Sequence, residues 1–235
     1  MRSAVILAGG NSRRLGQEKS LLKFDGKPLI CWTAEKLCRV ADEVVVVARD
    51  EAHAGRLAKV VESFMPMSDA VSAVIFTWDM VPGYGPVAGL YAGMKKARGR
   101  FAFATACDLP FLSPRVVDRL FRIAETAKDE DCSEGAVPVQ PGGLFEPLHC
   151  VYLREKMQQA CERAIKMGER RVHAPLRELA VRSIPVDLLR PLDEELLTFF
   201  NLNTRADLER ARALWPDSSE VFPEHQVDYV DYHYE

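Results

Sequence analysis

Short apolar runs and helically spaced apolar positions alternate along the chain. Ala4–Leu7 is a continuous apolar run that predicts a buried strand. After Pro28, the residues Leu29, Ile30, Trp32, Thr33, Leu37 and Val40 recur at helical spacing. Glu43–Ala48 holds consecutive valines, as expected of a strand buried on both faces. Glu51–Lys59 predicts a short helix and Ala73–Trp78 a third strand. A loop rich in Gly and Pro then leads to Val87, Leu90, Tyr91 and Met94, the apolar stripe of a helix. Arg100–Cys107 predicts a fourth strand running directly into Asp108. Ser113-Pro114 forms an N-cap and first-turn pair for a helix carrying Val116, Val117, Leu120, Phe121 and Ala124. Ala127–Glu134 is polar and acidic and reads as an exposed loop.

Beyond it, Ala136–Val139 and Leu144–Leu148 predict short strands around Pro141-Gly142-Gly143. An amphipathic helix follows with Leu153, Met157, Ala160, Cys161, Ala164 and Ile165 on one face, and His149 at its head. Leu196–Leu202 predicts a late strand, and Thr204 with Asp207 predicts a capping box that starts a helix through Leu214. Strands alternating with helices indicate an α/β protein with a mostly parallel sheet flanked by helices. No repeat or linker divides residues 1–215, which read as one domain. From Pro216 onward the chain is acidic and holds no Lys or Arg, so 216–235 reads as a mobile acidic tail, with a docking segment as its functional alternative.

Composition narrows the classes. The chain of 235 residues is long enough for a substantial core, and a net charge of −3 gives no ground for broad nucleic-acid or membrane binding. No stretch approaches the roughly 20 apolar residues of a membrane helix, and the N-terminus shows no secretory signal pattern. The six cysteines never form CxxC, so they read as reduced core thiols of a cytoplasmic protein. No Cys or His pair has zinc-ligand spacing.

The candidate chemistry begins where the first strand ends. Leu7-Ala8-Gly9-Gly10-Asn11-Ser12-Arg13-Arg14-Leu15-Gly16-Gln17-Glu18-Lys19 contains neither the P-loop pattern nor GxGxxG. Gly9 and Gly10 lack side chains, so their backbone N–H groups can approach a phosphate or a base edge. Arg14 and Lys19 supply donors suited to a triphosphate. Taken alone, a glycine turn with surface cations has a plain structural reading too.

The run L-A-G-G-x-S-x-R-x-G-x-x-K resembles the signature loop of the sugar-nucleotide-type nucleotidyltransferases, and most resembles that of the molybdenum cofactor guanylyltransferases. The likeness continues through Gly26-Lys27-Pro28-Leu29-Ile30. It then runs through Asp79 with Gly85-Pro86-Val87-Ala88-Gly89, Cys107-Asp108-Leu109-Pro110-Phe111, Glu146-Pro147-Leu148-His149, and Asn201-Leu202-Asn203-Thr204 with Asp207-Leu208. Five segments in order span roughly Arg2 to Leu214. Two positions depart from the family pattern. Leu15 stands where a methionine is usual, and Arg49-Asp50 follows the second strand where an asparagine is frequent.

The resemblance implies a Rossmann-like nucleotidyltransferase that joins GMP from GTP to the phosphate of molybdopterin and releases pyrophosphate, with Mg²⁺ as its metal. It also implies transient contact with proteins that mature molybdenum enzymes. Asp108, at the carboxyl end of a strand, is the expected Mg²⁺ ligand, since Mg²⁺ takes one or two carboxylates plus phosphate oxygens; its plain reading is a helix-capping aspartate. Lys19, with Arg14, is expected to neutralise the α-phosphate and departing pyrophosphate; its plain reading is a solvated lysine. Asp79 either reads the paired donors of guanine or stabilises the turn at Val81-Pro82-Gly83. Leu7, Ala8 and Gly9 would line base and ribose. Glu146, His149, Arg170, Arg171, Asn201 and Asn203 are the candidates for the acceptor side. Alternatively, His149 is structural, the arginines form a charged helix end and the asparagines shape a turn. Related cytidylyl enzymes read A-A-G where this chain has Ala8-Gly9-Gly10, which favours guanine. Cytidylyl transfer to molybdopterin, nucleotidyl transfer to a sugar phosphate or cobinamide phosphate, and a non-catalytic nucleotide-binding accessory role are the alternatives.

Overall fold

A computed structural model describes residues 1–10, 18–65, 73–81, 83–126 and 134–215. Among these residues the fold is built on β1 (Arg2–Leu7), which lies between β4 (Glu43–Ala48) and β6 (Phe101–Ala106) and runs parallel to both. Val5 sits opposite Val45 on one side and Ala104 on the other. Next to β4 lies β5 (Ala73–Trp78), again parallel. On the far side of β6 comes β9 (His149–Leu153), antiparallel to it, then β7 (Gly135–Gln140) and the parallel edge strand β10 (Val181–Pro185). The order is therefore β10-β7-β9-β6-β1-β4-β5, with the short β8 (Leu144–Phe145) paired to β7. A separate hairpin, β2 (Lys23–Phe24) with β3 (Lys27–Pro28), turns at Asp25-Gly26. Both turn residues have positive φ, 47° and 73°, the geometry that favours Asp-Gly in a two-residue hairpin loop.

Period-two alternation along β1 decides which helix packs where. Ala4 and Ile6 face the core beneath α1 (Leu29–Cys38), α2 (Glu51–Phe64) and α4 (Pro114–Glu125). Val5 faces the opposite core beneath α3 (Pro86–Lys96), α5 (Arg154–Lys166) and α6 (His173–Leu176). Gly93 lets α3 lie close on the sheet, since a Cβ there would overlap Val5 Cγ1 and stand 3.0 Å from Val47 Cγ2. A third cluster joins the β2–β3 hairpin, through Phe24, to α7 (Arg205–Leu214), through Ala211. Trp32, Phe111, Phe200 and Trp215 pack on it edge to face or tilted.

Four expectations are corrected. The helix expected to end at Lys59 continues to Phe64. The strand expected over Leu144–Leu148 pairs only at Leu144–Phe145. His149, expected at a helix head, instead opens the central strand β9, and α5 starts five residues later at Arg154. Leu196–Leu202 is not a strand. The Leu197 and Thr198 N–H groups donate to the Asp193 carboxylate at 3.2 and 2.7 Å, which satisfies them locally, and Leu197–Phe199 closes as a 3₁₀ turn. Edge strand β10 gave no apolar signal because only Ile184 in it is buried. The buried Cys31, Cys107, Cys150 and Cys161 are thiols outside any disulfide, and burial pushes each of them up. Cys132 and the acidic tail lie outside the described residues. None of the described helices is long and apolar enough to cross a membrane.

Candidate active site

The parallel strands deliver their carboxyl ends to one edge of the sheet, where open α/β sheets bind ligands. β1 ends at Leu7. Ala8 N–H still donates to Val47 O at 2.9 Å, holding the chain against β4 for one more residue. Gly9 then passes directly over the β4–α2 turn, and a Cβ on it would stand 3.3 Å from both Arg49 Cα and Arg49 N. Among the described residues, nothing lies within 4 Å of where a Gly10 Cβ would be. Residues 11–17, and with them Arg13 and Arg14, lie outside the described residues.

Lys19 follows in a short 3₁₀ turn, Lys19–Leu21. Its ammonium group donates to Asp108 Oδ2 at 2.8 Å and to Asn203 Oδ1 at 2.5 Å. Three segments far apart in sequence thus meet at one cation. Asp108 lies two residues past the end of β6 and is 8% exposed. Its loop is tied to α1, where Thr33 Oγ1 donates to Cys107 O at 3.3 Å and the buried Lys36 ammonium donates to Pro110 O at 2.5 Å. Burial pushes Lys36 down to about 8. Asp108 does not cap α4, because Ser113 does, accepting from Val116 N–H. Its second oxygen, Oδ1, is buried and has no hydrogen-bond partner among the described residues. An unpaired buried carboxylate oxygen is costly, and a cation would relieve that cost.

Asn203 is held by the capping box predicted at Thr204. Asn203 N–H and Thr204 N–H donate to Asp207 Oδ2 at 3.0 and 2.8 Å, and Asp207 N–H returns to Thr204 Oγ1 at 3.1 Å. Leu202 N–H donates to Asp108 O at 3.0 Å, fixing this segment against the Asp108 loop. Asn201 donates to Phe199 O at 3.0 Å, so its described contact is that of a turn residue.

Asp79 follows β5, with its N–H bonded to Ala48 O at 3.0 Å. Its Oδ1 accepts from Val81 N–H at 2.8 Å, as the turn reading expects. Burial holds its carboxyl above the ordinary carboxylate range, against the lowering effect of that hydrogen bond. Glu146 sits at the bend before β9, with Oε1 accepting from Gln140 Nε2 at 2.9 Å. Arg170 and Arg171 lie beyond the end of α5 rather than on it. The Arg170 guanidinium stands over the Tyr84 ring, 5.3 Å from its centroid, and its carbonyl is 3.6 Å from where a Gly85 Cβ would be. Tyr84 in turn donates to Ile165 O at 2.7 Å. This aromatic bracket gave no sequence signal, because Tyr84 stands alone in a Gly- and Pro-rich loop.

His149 is a correction. It is buried in β9 between the Phe103 and Phe199 rings, with Nε2 3.2 Å from Thr198 Oγ1, and burial pushes it down to about 3. It packs as a core residue, as its structural alternative expects.

The fold and the site together define a nucleotidyltransferase. Comparison with known proteins places it more closely: the chain belongs to the MobA-like NTP transferase family, whose model matches residues 4–182. It is 38% identical over 210 residues to a probable molybdenum cofactor guanylyltransferase of Methanosarcina mazei, covering 88% of each chain. It is 35% identical to a protein of the same name from Natronomonas pharaonis, covering 90% of this chain and 96% of that one. Among solved structures it is similar to molybdopterin-guanine dinucleotide biosynthesis protein A from Archaeoglobus fulgidus. That match has a TM-score of 0.75 and 34% identity, and covers 91% of this chain and 98% of the other.

Proposed function

We propose that the protein transfers GMP from GTP to the phosphate of molybdopterin, forming the dinucleotide and releasing pyrophosphate. The observation that carries this reading is the meeting of Lys19, Asp108 and Asn203 at the carboxyl edge, with Asp108 Oδ1 left unpaired. The names of the similar proteins support the choice of substrates.

In this reading Leu7, Ala8, Gly9 and Gly10 present backbone to the nucleotide, and Asp79 accepts hydrogen bonds from guanine. Lys19 and Arg14 offset negative charge on the α-phosphate and the departing pyrophosphate. An oxygen of the molybdopterin phosphate attacks the α-phosphorus, and the bond to the bridging oxygen of the pyrophosphate breaks. No bond to the protein forms, so the chain's work is positioning and electrostatic stabilisation. Asp108 would hold Mg²⁺ through its unpaired oxygen. Mg²⁺ usually takes one or two carboxylates plus phosphate oxygens and water, so the triphosphate would share in holding it. Bound there, Mg²⁺ would supply charge neutralisation and orientation of the triphosphate. Glu146, Arg170, Arg171, Asn201 and Asn203 are assigned to the acceptor side. The activity is assigned to one domain over residues 1–215, and the buried thiols suit a cytoplasmic setting.

The test is to incubate the protein with Mg²⁺, molybdopterin and each nucleoside triphosphate in turn, and to follow pyrophosphate release. Release is expected with GTP and not with ATP, CTP or UTP. Release with CTP but not GTP would overturn the guanine assignment. GTP binding with no release under any acceptor would leave only an accessory role.

A further inference from the structure

His53 is completely buried at the first turn of α2, yet packing alone does not account for it. Its Nδ1 accepts from Arg49 N–H at 3.1 Å, so the ring proton of the neutral imidazole sits on Nε2. Nε2 is in direct contact with Glu18 Oε1, a close approach outside hydrogen-bond geometry. The other side of Glu18 faces the Arg56 guanidinium at 3.9 Å, and Ser20 Oγ donates to its Oε1 at 3.2 Å. Asp50, the cap of α2, accepts from His53 N–H at 2.7 Å and fixes the ring's starting point. Glu18 immediately precedes Lys19. The same β4–α2 turn also bears on Gly9, 3.3 Å from where a Cβ would be. Gly9 and Glu18 thus both lie against one turn, residues 49–53. Burial lowers the affinity of His53 for a second proton, partly countered by Glu18.

We propose that His53 is a positioning residue for Lys19: by holding Glu18 it sets where the lysine ammonium stands relative to Asp108. This rests on the reading of Lys19 as the phosphate-facing cation. Nothing in the local pattern of the sequence marks His53, because the link joins residues 35 positions apart and passes through a neighbour of the acting group.

The test is a double-mutant cycle on the full chain. His53→Ala, Lys19→Met and the double variant are compared for pyrophosphate release from GTP. Amide exchange is followed without nucleotide at Leu21 and Leu22, whose N–H groups donate to Glu18 O at 3.1 Å. His53→Ala is expected to lower kcat by about a hundredfold, the scale of a misplaced catalytic group, with the KM for GTP little changed. It should cause no further loss once Lys19 is methionine. His53→Gln, which keeps a donor within reach of Glu18, should recover part of the rate. Exchange at Leu21 and Leu22 should speed up in His53→Ala. An equal loss in both Lys19 backgrounds, or unchanged exchange at the two amides, would overturn the proposal. Should His53→Ala not fold, Glu18→Ala cuts the same link from its less buried side and carries the same expectations. If another triphosphate replaces GTP as substrate, the base assignment fails while the cycle is measured with that nucleotide. If none is turned over, the exchange result decides.

Discussion

Asp79→Asn separates base reading from turn stability, which an alanine substitution would confuse. Asp79 Oδ1 is committed to Val81 N–H at 2.8 Å. Asparagine keeps an oxygen for that bond, so the turn survives. Its amide then sets a donor against guanine, which itself offers two donors there. A hydrogen bond to a charged group contributes about 1.5–3 kcal/mol, or roughly 10- to 150-fold in kcat/KM. Inosine triphosphate provides the matching substrate change, since its base lacks the exocyclic amine and forfeits one such bond. The wild type should therefore prefer GTP over inosine triphosphate by a factor in that range, and Asp79→Asn should bring the ratio near unity. Pyrophosphate release with each nucleotide measures the ratio, and thermal melting checks that the variant is folded. Because burial holds the Asp79 carboxyl above its ordinary range, the wild-type preference should shrink as pH falls through that raised value, where protonation removes an acceptor. A folded Asp79→Asn enzyme that keeps the wild-type ratio would refute base reading by this residue and leave it as a turn aspartate.

Asp108→Asn should cut turnover by about 10²- to 10³-fold, the scale of losing one transition-state charge stabiliser, and should weaken the dependence of rate on Mg²⁺ concentration. Steady-state kinetics across a magnesium titration measures both. Gly93→Ala should destabilise the fold by about 1–3 kcal/mol, because the new methyl overlaps the buried Val5 side chain. Melting should fall by about 2–4 °C per kcal/mol in a chain of this size. An unchanged melting temperature would mean that α3 moves off the sheet at no cost. His149 stays neutral in the folded protein down to about 3, whereas the unfolded chain protonates it below about 6.5. It therefore withdraws stability as pH falls through that window, at a slope approaching about 1.4 kcal/mol per pH unit. Urea unfolding should show that His149→Gln loses less stability than the wild type between about pH 7 and about pH 5.

Much of the fold that frames the candidate site was legible in sequence because it depends on local rules. The apolar runs at Ala4–Leu7, Glu43–Ala48, Ala73–Trp78 and Arg100–Cys107 predicted four strands, and all four pair in parallel. Placing Asp108 just beyond a strand followed from where the apolar run stops. The Thr204–Asp207 capping box depends only on three-residue spacing, and it forms. Local rules failed where a residue's environment is made by distant chain. His149 and its neighbours carry no alternation that distinguishes a central strand from a helix start, and its burial depends on Phe103 and Phe199 closing over it. The insertion of β9, antiparallel, between β6 and β7 reflects the path of the chain and has no periodic signature. The contact of Lys19 with Asn203 spans 184 positions, and that of His53 with Glu18 spans 35. By itself the sequence determined the four central parallel strands, the capping box at Thr204 and the placing of Asp108 at a strand end. The tertiary structure decided which groups share one cation, because side chains meet through space along a path that no local spacing encodes.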